Sequence, residues 1–301
     1  MFPGKFAASR SHLEQALGLY DPTSHRSLVQ HAGVHPHIFS QAYLGNVLFC
    51  LGFPDQALAR SNENLQDARR LAHPPSLAGA LAIGVRLLWL IGDDAALGQW
   101  VNQLLSVATE QGFPHWRAQG MIYRGRAMVR NGDAGEGMSL LRSGLAAYRA
   151  SGAELFLPHY DCLLASACEI TGHIDESLTL LDDALQIVKN TGERWFAPEL
   201  NRHKGQLLLR HGHTDGAEKY YLTALSSARK QGAKLWELRA ATSLARLCRE
   251  QNRAADARDI LAPVYNWFTE GFDTPDLKEA TGILEDLLKP AEWAKLSRNH
   301  P

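Results

Sequence analysis

A glycine recurs every 40 residues through most of this 301-residue chain. The series, which Asn252 continues, comprises Gly52, Gly92, Gly132, Gly172 and Gly212. A second series in the same register, with Ala72 in its first place, comprises Gly112, Gly152, Gly192 and Gly232. Glycine and asparagine accept the left-handed backbone conformation that ends many helices. The two series therefore predict six 40-residue repeats, each with two helix ends about 20 residues apart.

Apolar residues between these positions recur at helical spacing, for example at Leu178, Leu181 and Leu185, so each repeat is predicted to be two antiparallel helices. The period of 40 fits HEAT-type repeats. Small residues 12 positions apart instead favour tetratricopeptide (TPR) repeats, whose two helices cross closely. The pairs are Gly45 with Ala57, Gly125 with Gly137, Ala165 with Ser177, Gly205 with Ala217, and Ala245 with Ala257, while the second repeat departs with Val85 and Leu97. The pattern predicts an all-α, TPR-like right-handed solenoid of helical hairpins.

The two ends differ from the repeat array, which is predicted to occupy residues 37–272. Residues 1–36 are predicted to form an N-terminal half-repeat, with one helix and an enlarged polar loop at 21–36. Residues 273–301 are predicted to form a C-terminal capping helix and tail, with Thr274 as the cap before Pro275. The apolar face of the capping helix comprises Leu277, Leu284, Leu287 and Leu288. An array open at its start and closed at its end is expected to be the C-terminal portion of a larger protein.

The half-repeat lacks its partner helix, so one side of Phe6, Leu13 and Leu17 is expected to be uncovered by the array. Exposed apolar surface of this kind usually contacts a partner. The loop at 21–36, a second copy of the chain in a homodimer, or a preceding domain would cover it.

Composition excludes few protein classes, but it disfavours some classes of binding partner. The net charge is −1, which indicates neither a nucleic acid nor a membrane surface as partner. The apolar run at 76–92 approaches the length of a membrane span, but Arg86 near its centre disfavours insertion. The four cysteines lie in apolar stretches without a C-x-x-C pair, which predicts reduced packing residues in a cytoplasmic protein.

No nucleophile motif, phosphate loop or zinc-protease motif occurs in the chain, so an enzyme is a remote alternative and no cofactor is expected. His211, His213 and Asp215 could together hold a metal. They surround the helix-ending Gly212, where other repeats carry unrelated residues, so a solvated turn is favoured over a metal site. Aromatic residues begin four first helices, at Trp116, Phe156, Phe196 and Trp236. Packing between repeats is favoured over a stacking platform for bases.

A polar row follows the small position on the first helix of each repeat. It comprises Asn46, Arg86, Arg126, Ser166, Gln206 and Arg246. First helices line the concave face of a TPR solenoid, so the row predicts a solvent-accessible ligand groove. Its candidate residues are Asn46, Arg86, Arg126, Arg130, Arg202, Gln206 and Arg246. Arginine suits carboxylates and phosphates, and the alternative is a solvated face whose arginines pair locally with Asp161, Glu169, Glu199 or Glu250.

Several segments resemble the C-terminal TPR region of large bacterial signalling ATPases. They are GKFAASRSHLEQALGLYDP, ATEQGFPHW, NTGERWFAPELNRHKGQLLLR, LWELRAATSLARL and APVYNWFTEGFDTPDLKEA. In that family a class III nucleotide cyclase or transcription-regulator domain comes first, a P-loop ATPase follows, and the repeats end the chain. The resemblance covers nearly the whole sequence and is most specific at 264–280. It implies a regulatory arm without catalytic activity, because the phosphate loop and the cyclase aspartates have no counterpart here.

Two functions are therefore expected. The first is a protein-protein interaction scaffold of a bacterial signalling system, which binds an acidic segment or peptide and regulates an attached or partner cyclase or ATPase domain. The second is a sensor arm that binds a small anionic effector. A long open groove would favour the scaffold, whereas a closed pocket within two or three repeats would favour the sensor.

Overall fold

The computed structural model describes residues 1–21 and 33–287. All regular structure in these residues is helical. The helices are α1 Phe6–Gly18, α2 Pro36–Leu51, α3 Pro54–Leu71, α4 Pro74–Ile91, α5 Asp94–Glu110, α6 Pro114–Arg130, α7 Ala134–Ala150, α8 Leu157–Ile170, α9 Ile174–Thr191, α10 Ala197–Arg210, α11 Thr214–Gln231, α12 Lys234–Glu250, α13 Ala254–Tyr265 and α14 Pro275–Leu287. They follow one another as packed hairpins, which confirms the predicted all-α, TPR-like repeat.

The helix ends fall where the repeat predicts them. Gly52, Gly92, Gly132, Gly172 and Gly212 all have positive φ values, and so do Asn252 and Ala72 in the two series. Gly92, for example, adopts φ 84° and its N–H donates to the carbonyl of Leu88. A side chain in this conformation is strained for most residues, so glycine at these points lets each helix end and the chain reverse.

The predicted small pairs lie at the crossing of the two helices in a repeat. A Cβ atom placed on Gly125 would lie 2.6 Å from the carbonyl oxygen of Gly137. One placed on Gly205 would lie 3.0 Å from that of Ala217. The hydroxyl of Ser177 donates to the carbonyl of Ala165 at 2.8 Å. These close approaches are the physical basis of the 12-residue spacing.

The chain forms two compact bodies. The N-terminal body comprises Ala7–Phe49 and Gln56–Ala184. In it, first helices pack on each other as well as on their hairpin partners, since α4 contacts α6 and α6 contacts α8. Helix α4 is long and apolar enough to span a membrane, but 78% of its apolar window is buried inside the protein. It is a core helix of the repeat array.

The C-terminal body comprises Met1–Phe6, Cys50–Asp55 and Leu185–Pro301. Helix α10 packs on α12, and α14 packs on both α12 and α13; the capping role of α14 stays a prediction. Leu277 and Leu284 of α14 are fully buried, whereas Leu288 lies outside the described residues. The turn before α3 also belongs to this body, where the carboxylate of Asp55 accepts from the N–H of Gly271 at 3.0 Å.

The side chain of Phe6 is fully buried within the chain. The segment before it is held in place by the carbonyl of Phe2, which accepts from the N–H groups of Arg194 at 2.7 Å and Trp195 at 3.0 Å. Leu13 and Leu17 are half-buried. The loop expected to cover this region lies largely at 22–32, outside the described residues.

Candidate functional site: the arginines of the first helices

The polar row is less exposed than the sequence predicts. Asn46 and Arg86 are each only 1% exposed, so the prediction that the row is uniformly solvent-accessible is wrong. The reason is the packing of first helix on first helix within the N-terminal body. The amide of Asn46 donates across this contact to the carbonyl of Ile83 in α4 at 3.3 Å, which gives it a structural role.

In the C-terminal body the arginines are neutralised by acids. Glu199 of α10 accepts from Arg202 Nε at 2.8 Å and from Arg239 Nη1 at 3.1 Å. Arg239 also makes a two-point contact with Asp276 of α14, at 2.7 and 2.8 Å. Burial opposes ionisation of Glu199, but Arg202 and Arg239 outweigh it and hold the pKa of this carboxyl at about 2. The network joins α10, α12 and α14 and stays charged at neutral pH.

The other row residues of this body are also engaged. The side-chain oxygen of Gln206 accepts from Arg202 Nη1 at 3.2 Å, and Arg246 forms an ion pair with Glu279. A shallow cavity of about 290 Å³ contains these groups together with Asp276. Its three arginines are each already paired with an acid, Arg202 with Glu199, Arg239 with Asp276 and Arg246 with Glu279. Glu199, one of the acids that the sequence analysis names as local partners, pairs with Arg202 and Arg239.

The N-terminal body differs, beginning with Arg126 of α6. Its Nη2 donates to Ser166 Oγ at 2.7 Å, joining row members of adjacent repeats. Its Nε and Nη1 are buried without a hydrogen-bond partner, and it makes no ion pair within residues 1–21 and 33–287. Burial, with the charge of Arg130, lowers the pKa of Arg126.

Arg126 lines a cleft of about 200 Å³ between α4, α5 and α6. The cleft has apolar walls from Trp89, Leu97 and Val101 and a cationic edge from Arg124 and Arg130. Arg130 is half-exposed and pairs with Asp94 at the rim. An exposed pair of this kind contributes about 0–1 kcal/mol.

Arg86 of α4 is the most isolated charge of the row. No carboxylate of the described part of the chain lies within ion-pair distance of it. Its Nε and Nη1 lack hydrogen-bond partners, and its Cζ lies 3.4 Å from the centre of the Phe156 ring. Burial favours loss of its proton, whereas Tyr160, Tyr123 and Tyr43 favour the charged form, and the net pKa of Arg86 is raised. The guanidinium therefore remains a buried cation.

Phe156 reaches Arg86 through an unusual backbone conformation. It precedes α8 with φ 68° and ψ 3°, in the left-handed region. Its counterpart one repeat later, Phe196, has φ −105°. Left-handed geometry costs a bulky residue about 1–2 kcal/mol and often occurs at functional sites. The strain holds the Phe156 ring against the guanidinium, where a cation–π contact stabilises the charge.

The polar groups around Arg86 are neutral. His159 is fully buried and its Nε2 faces the Tyr123 hydroxyl at 2.9 Å. Burial, with the charge of Arg86, lowers the pKa of His159 well below its usual range. The same two causes lower the pKa of His115, whose Nε2 lies 2.8 Å from the Gln119 amide nitrogen. Arg86 is therefore the one cation among the residues that line this cavity.

Sequence reasoning found Arg86 and Arg126 but missed the groups that surround Arg86. Phe156 was assigned to packing between repeats, because nothing in its sequence position predicts a left-handed backbone. A signal for the tyrosines did exist, since Tyr43 and Tyr123 occupy the same register position two repeats apart. The aromatic residues Phe196 and Trp236 do pack between repeats, with ring centres 5.6 Å apart.

The histidine cluster of the sequence lies in a turn. His211 ends α10, Gly212 has φ 79°, and His213 precedes α11. Among the described residues, no group of three His, Cys, Asp or Glu side chains is placed to hold a metal. None of the four cysteines, all within the described residues, forms a disulfide, and all four are buried, where burial raises the pKa of Cys168 to about 11.

Comparisons with known proteins agree on the fold. A Rap protein complexed with competence and sporulation factor superimposes with a TM-score of 0.55, at 14% identity over 86% of this chain and 76% of its own. The apo form of RapI superimposes with a TM-score of 0.54 and is 13% identical in sequence; the match covers 93% of this chain and 91% of RapI. A third match is a signal transduction ATPase with numerous domains and a tetratricopeptide repeat sensor, from Pyrococcus horikoshii. It superimposes with a TM-score of 0.51 at 9% identity, and the match covers 92% of this chain and 43% of the ATPase. The chain is a TPR-like helical-repeat protein.

Sequence comparison adds one curated relative. An uncharacterized protein of Rhizobium meliloti is 23% identical over 246 residues. The match covers 81% of this repeat protein but only 24% of the relative's own length. No protein-family model matches the chain. Attachment to an ATPase or a cyclase domain, which the sequence resemblance implies, therefore stays a proposal.

Proposed function

We propose that this TPR-like chain is a regulatory protein-interaction module of a bacterial signalling system. It would bind an acidic segment of a partner protein, with an attached or partner cyclase or ATPase domain as the regulated component. The observation that carries the proposal is Arg126, a partly buried cation in an apolar-walled cleft without a carboxylate partner. Arg126 and Arg130 would bind carboxylates of the segment, and Trp89 and Leu97 would contact its apolar residues.

Arg126 can be weighed against its counterparts in the C-terminal body. Charge-assisted hydrogen bonds contribute about 1.5–3 kcal/mol each, and only arginines with unfilled donors can supply new ones. Arg202 and Arg239 already donate to Glu199 and Asp276. The acidic segment would therefore bind the N-terminal body, and not the whole polar row that the sequence predicts.

A displayed library of short peptides tests this proposal. The full chain should enrich peptides that combine Asp or Glu with a large apolar residue, and their affinity should fall as salt shortens the screening length to about 8 Å or less. Arg126→Ala should lose this enrichment. The matched control is Arg246→Ala, which removes an arginine already paired with Glu279 and should keep it. Identical peptide sets from the wild type and Arg126→Ala would contradict the proposal.

A second candidate function is a sensor for a small anion. The observation that favours it is Arg86, whose charge is buried next to a cavity lined by residues of the first three repeats and by the segment that begins the fourth. The two functions use different cavities of one body, so they can be tested separately.

A further inference from the structure

We infer that the cavity beside Arg86 binds a small monocarboxylate that carries a compact apolar group. The inference rests on the sensor function proposed for this chain and is independent of the peptide site at Arg126. It begins from an unbalanced charge. A buried cation is normally retained with a counterion, because an unpaired charge in a low-dielectric interior is costly. Arg86 is 1% exposed, and no acid of the described residues pairs with it.

The cavity has room for the missing counterion. It measures about 220 Å³ and is lined by Arg86 together with residues of α2, α4, α6, α7 and the segment before α8. This volume is below the range of about 300–1,000 Å³ that is typical of sites for drug-sized ligands. A compact molecule therefore fits, whereas a nucleotide does not.

The charge of the cavity selects a monoanion. Arg86 supplies one positive charge, and His115 is neutral because burial and Arg86 lower its pKa. Glu154 also lines the cavity, but it is exposed and pairs with no arginine there. A phosphate dianion would bring a second negative charge that no cation in the lining balances. A carboxylate matches the single guanidinium.

The other side chains that line the cavity indicate which group the carboxylate ligand carries. Phe39, Trp116 and Tyr148 provide aromatic walls, which suit an aromatic ring or a branched aliphatic group. Gln119 is 5% exposed, and its side-chain oxygen has no hydrogen-bond partner. It can accept a hydrogen bond from a hydroxyl or amino group of the ligand, which would distinguish substituted acids from simple ones.

The strained backbone of Phe156 is the independent observation that points to the same place. Its φ of 68° brings the ring over one face of the guanidinium. Nε and Nη1, the donors at the edge of the guanidinium, are the ones left without partners. The geometry orients Arg86 before any ligand arrives, and such pre-organisation reduces the ordering cost of binding.

Calorimetric titration of the full chain with a panel of aliphatic and aromatic monocarboxylates tests the inference, with phenylacetate as the first probe and phenylacetamide as its uncharged counterpart. Phenylacetate should bind more tightly than the amide. Arg86→Met should weaken carboxylate binding roughly 10- to 100-fold, the loss expected for a charge-assisted contact. Arg142→Met is the matched control, because it removes an exposed arginine of the same body that pairs with Glu176 and lines neither cavity, and it should leave phenylacetate affinity unchanged.

Glu154→Gln keeps the test decisive if Arg86→Met fails to fold. It removes a negative charge from the cavity lining without altering Arg86 and should tighten carboxylate binding severalfold. Three results would overturn the inference: no monocarboxylate in the panel binds, binding is insensitive to Arg86→Met in a folded variant, or Glu154→Gln weakens it.

Titration with inorganic phosphate separates this inference from the function on which it rests. Phosphate binding that depends on Arg86, without any carboxylate binding, would retain the sensor and reject the carboxylate. Failure of every anion would reject the sensor as well. The acidic-segment proposal would survive both results, because it depends on Arg126.

Discussion

The two bodies of this protein use the same kind of residue, an arginine on a first helix, in opposite ways. In the C-terminal body, Arg202 and Arg239 share Glu199, and Arg239 also binds Asp276. In the N-terminal body, Arg86 and Arg126 are buried or partly buried, and neither forms an ion pair with an acid of the described residues. The comparison separates arginines that join helices through acids from arginines that lack an acid partner among the described residues.

The difference lies in energetics more than in geometry. Removing one partner of a satisfied buried pair leaves an uncompensated charge and costs about 3–5 kcal/mol. Removing a buried charge that has no counterion also removes its desolvation cost, so the free energy of unfolding should change little. Stability measurements can therefore divide the row into structural and functional arginines before any ligand is known.

The largest effect is expected from Glu199→Ala. It would leave two guanidinium groups of the C-terminal body without this shared acid, and we expect a loss of about 3–5 kcal/mol in the free energy of unfolding. The control is Glu279→Ala, which breaks the exposed pair with Arg246 and should cost about 1 kcal/mol or less. Denaturant unfolding of both variants measures this. Equal losses would mean that the Glu199 network has no special structural role.

The second-largest loss of stability is expected from a substitution at the helix crossing. In Gly205→Leu, the new Cβ atom alone would lie 2.8 Å from the Tyr221 ring. The resulting overpacking should cost about 1–3 kcal/mol. Gly135→Leu is the matched control in the N-terminal body, because no atom lies within 4 Å of a Cβ atom placed there. A thermal melt in which Gly205→Leu is no less stable than Gly135→Leu would contradict the crossing role.

Asp161 gives the N-terminal body a pH dependence. Burial outweighs the neighbouring Arg149, 2.5 Å away, and raises the pKa of Asp161 from 3.8 to about 6. The folded state then binds more protons than the unfolded state, so stability should rise as pH falls from about 6 to 3.8, by roughly 3 kcal/mol. Asp161→Asn should remove this rise, and the exposed Asp133→Asn, whose charge does not act on Asp161, should keep it.

Glu199 should act in the opposite direction in the C-terminal body. Its pKa is lowered from 4.5 to about 2, so its contribution is present above pH 4.5 and is lost as pH falls through this range. Melting temperatures of the wild type, Asp161→Asn and Glu199→Gln across acidic pH would distinguish the two contributions. A shift of the same sign from both acids would contradict the contrast between the bodies.

The smallest stability effect is expected from Arg126→Ala, within about 0.5 kcal/mol, because its charge has no acid partner to leave behind. Its effect on an acidic ligand should be roughly tenfold to a hundredfold in affinity. Melting curves and peptide titration of the same samples provide both measurements. If Arg126→Ala unfolds the protein, Arg126 is a structural residue and the peptide proposal fails.

The repeat could be predicted from the sequence because it depends on local backbone chemistry. A helix ends where glycine or asparagine accepts positive φ, and two helices approach closely where both residues are small. Gly52 to Asn252 and pairs such as Gly125 with Gly137 encode these rules directly. The polar row could also be identified, because residues at a fixed register position on successive first helices become neighbours, as Arg126 and Ser166 do.

What the sequence alone determined is thus the hairpin architecture and the positions of the arginines. Tertiary structure decided which arginines are neutralised, because Glu199 is 40 residues from Arg239 and Asp276 is 37 residues from it. It also decided that Arg86 is buried and that Phe156 covers it. Burial and ion pairing depend on contacts between repeats, where a shift of a few ångströms joins or separates two charges. No local pattern specifies such a shift.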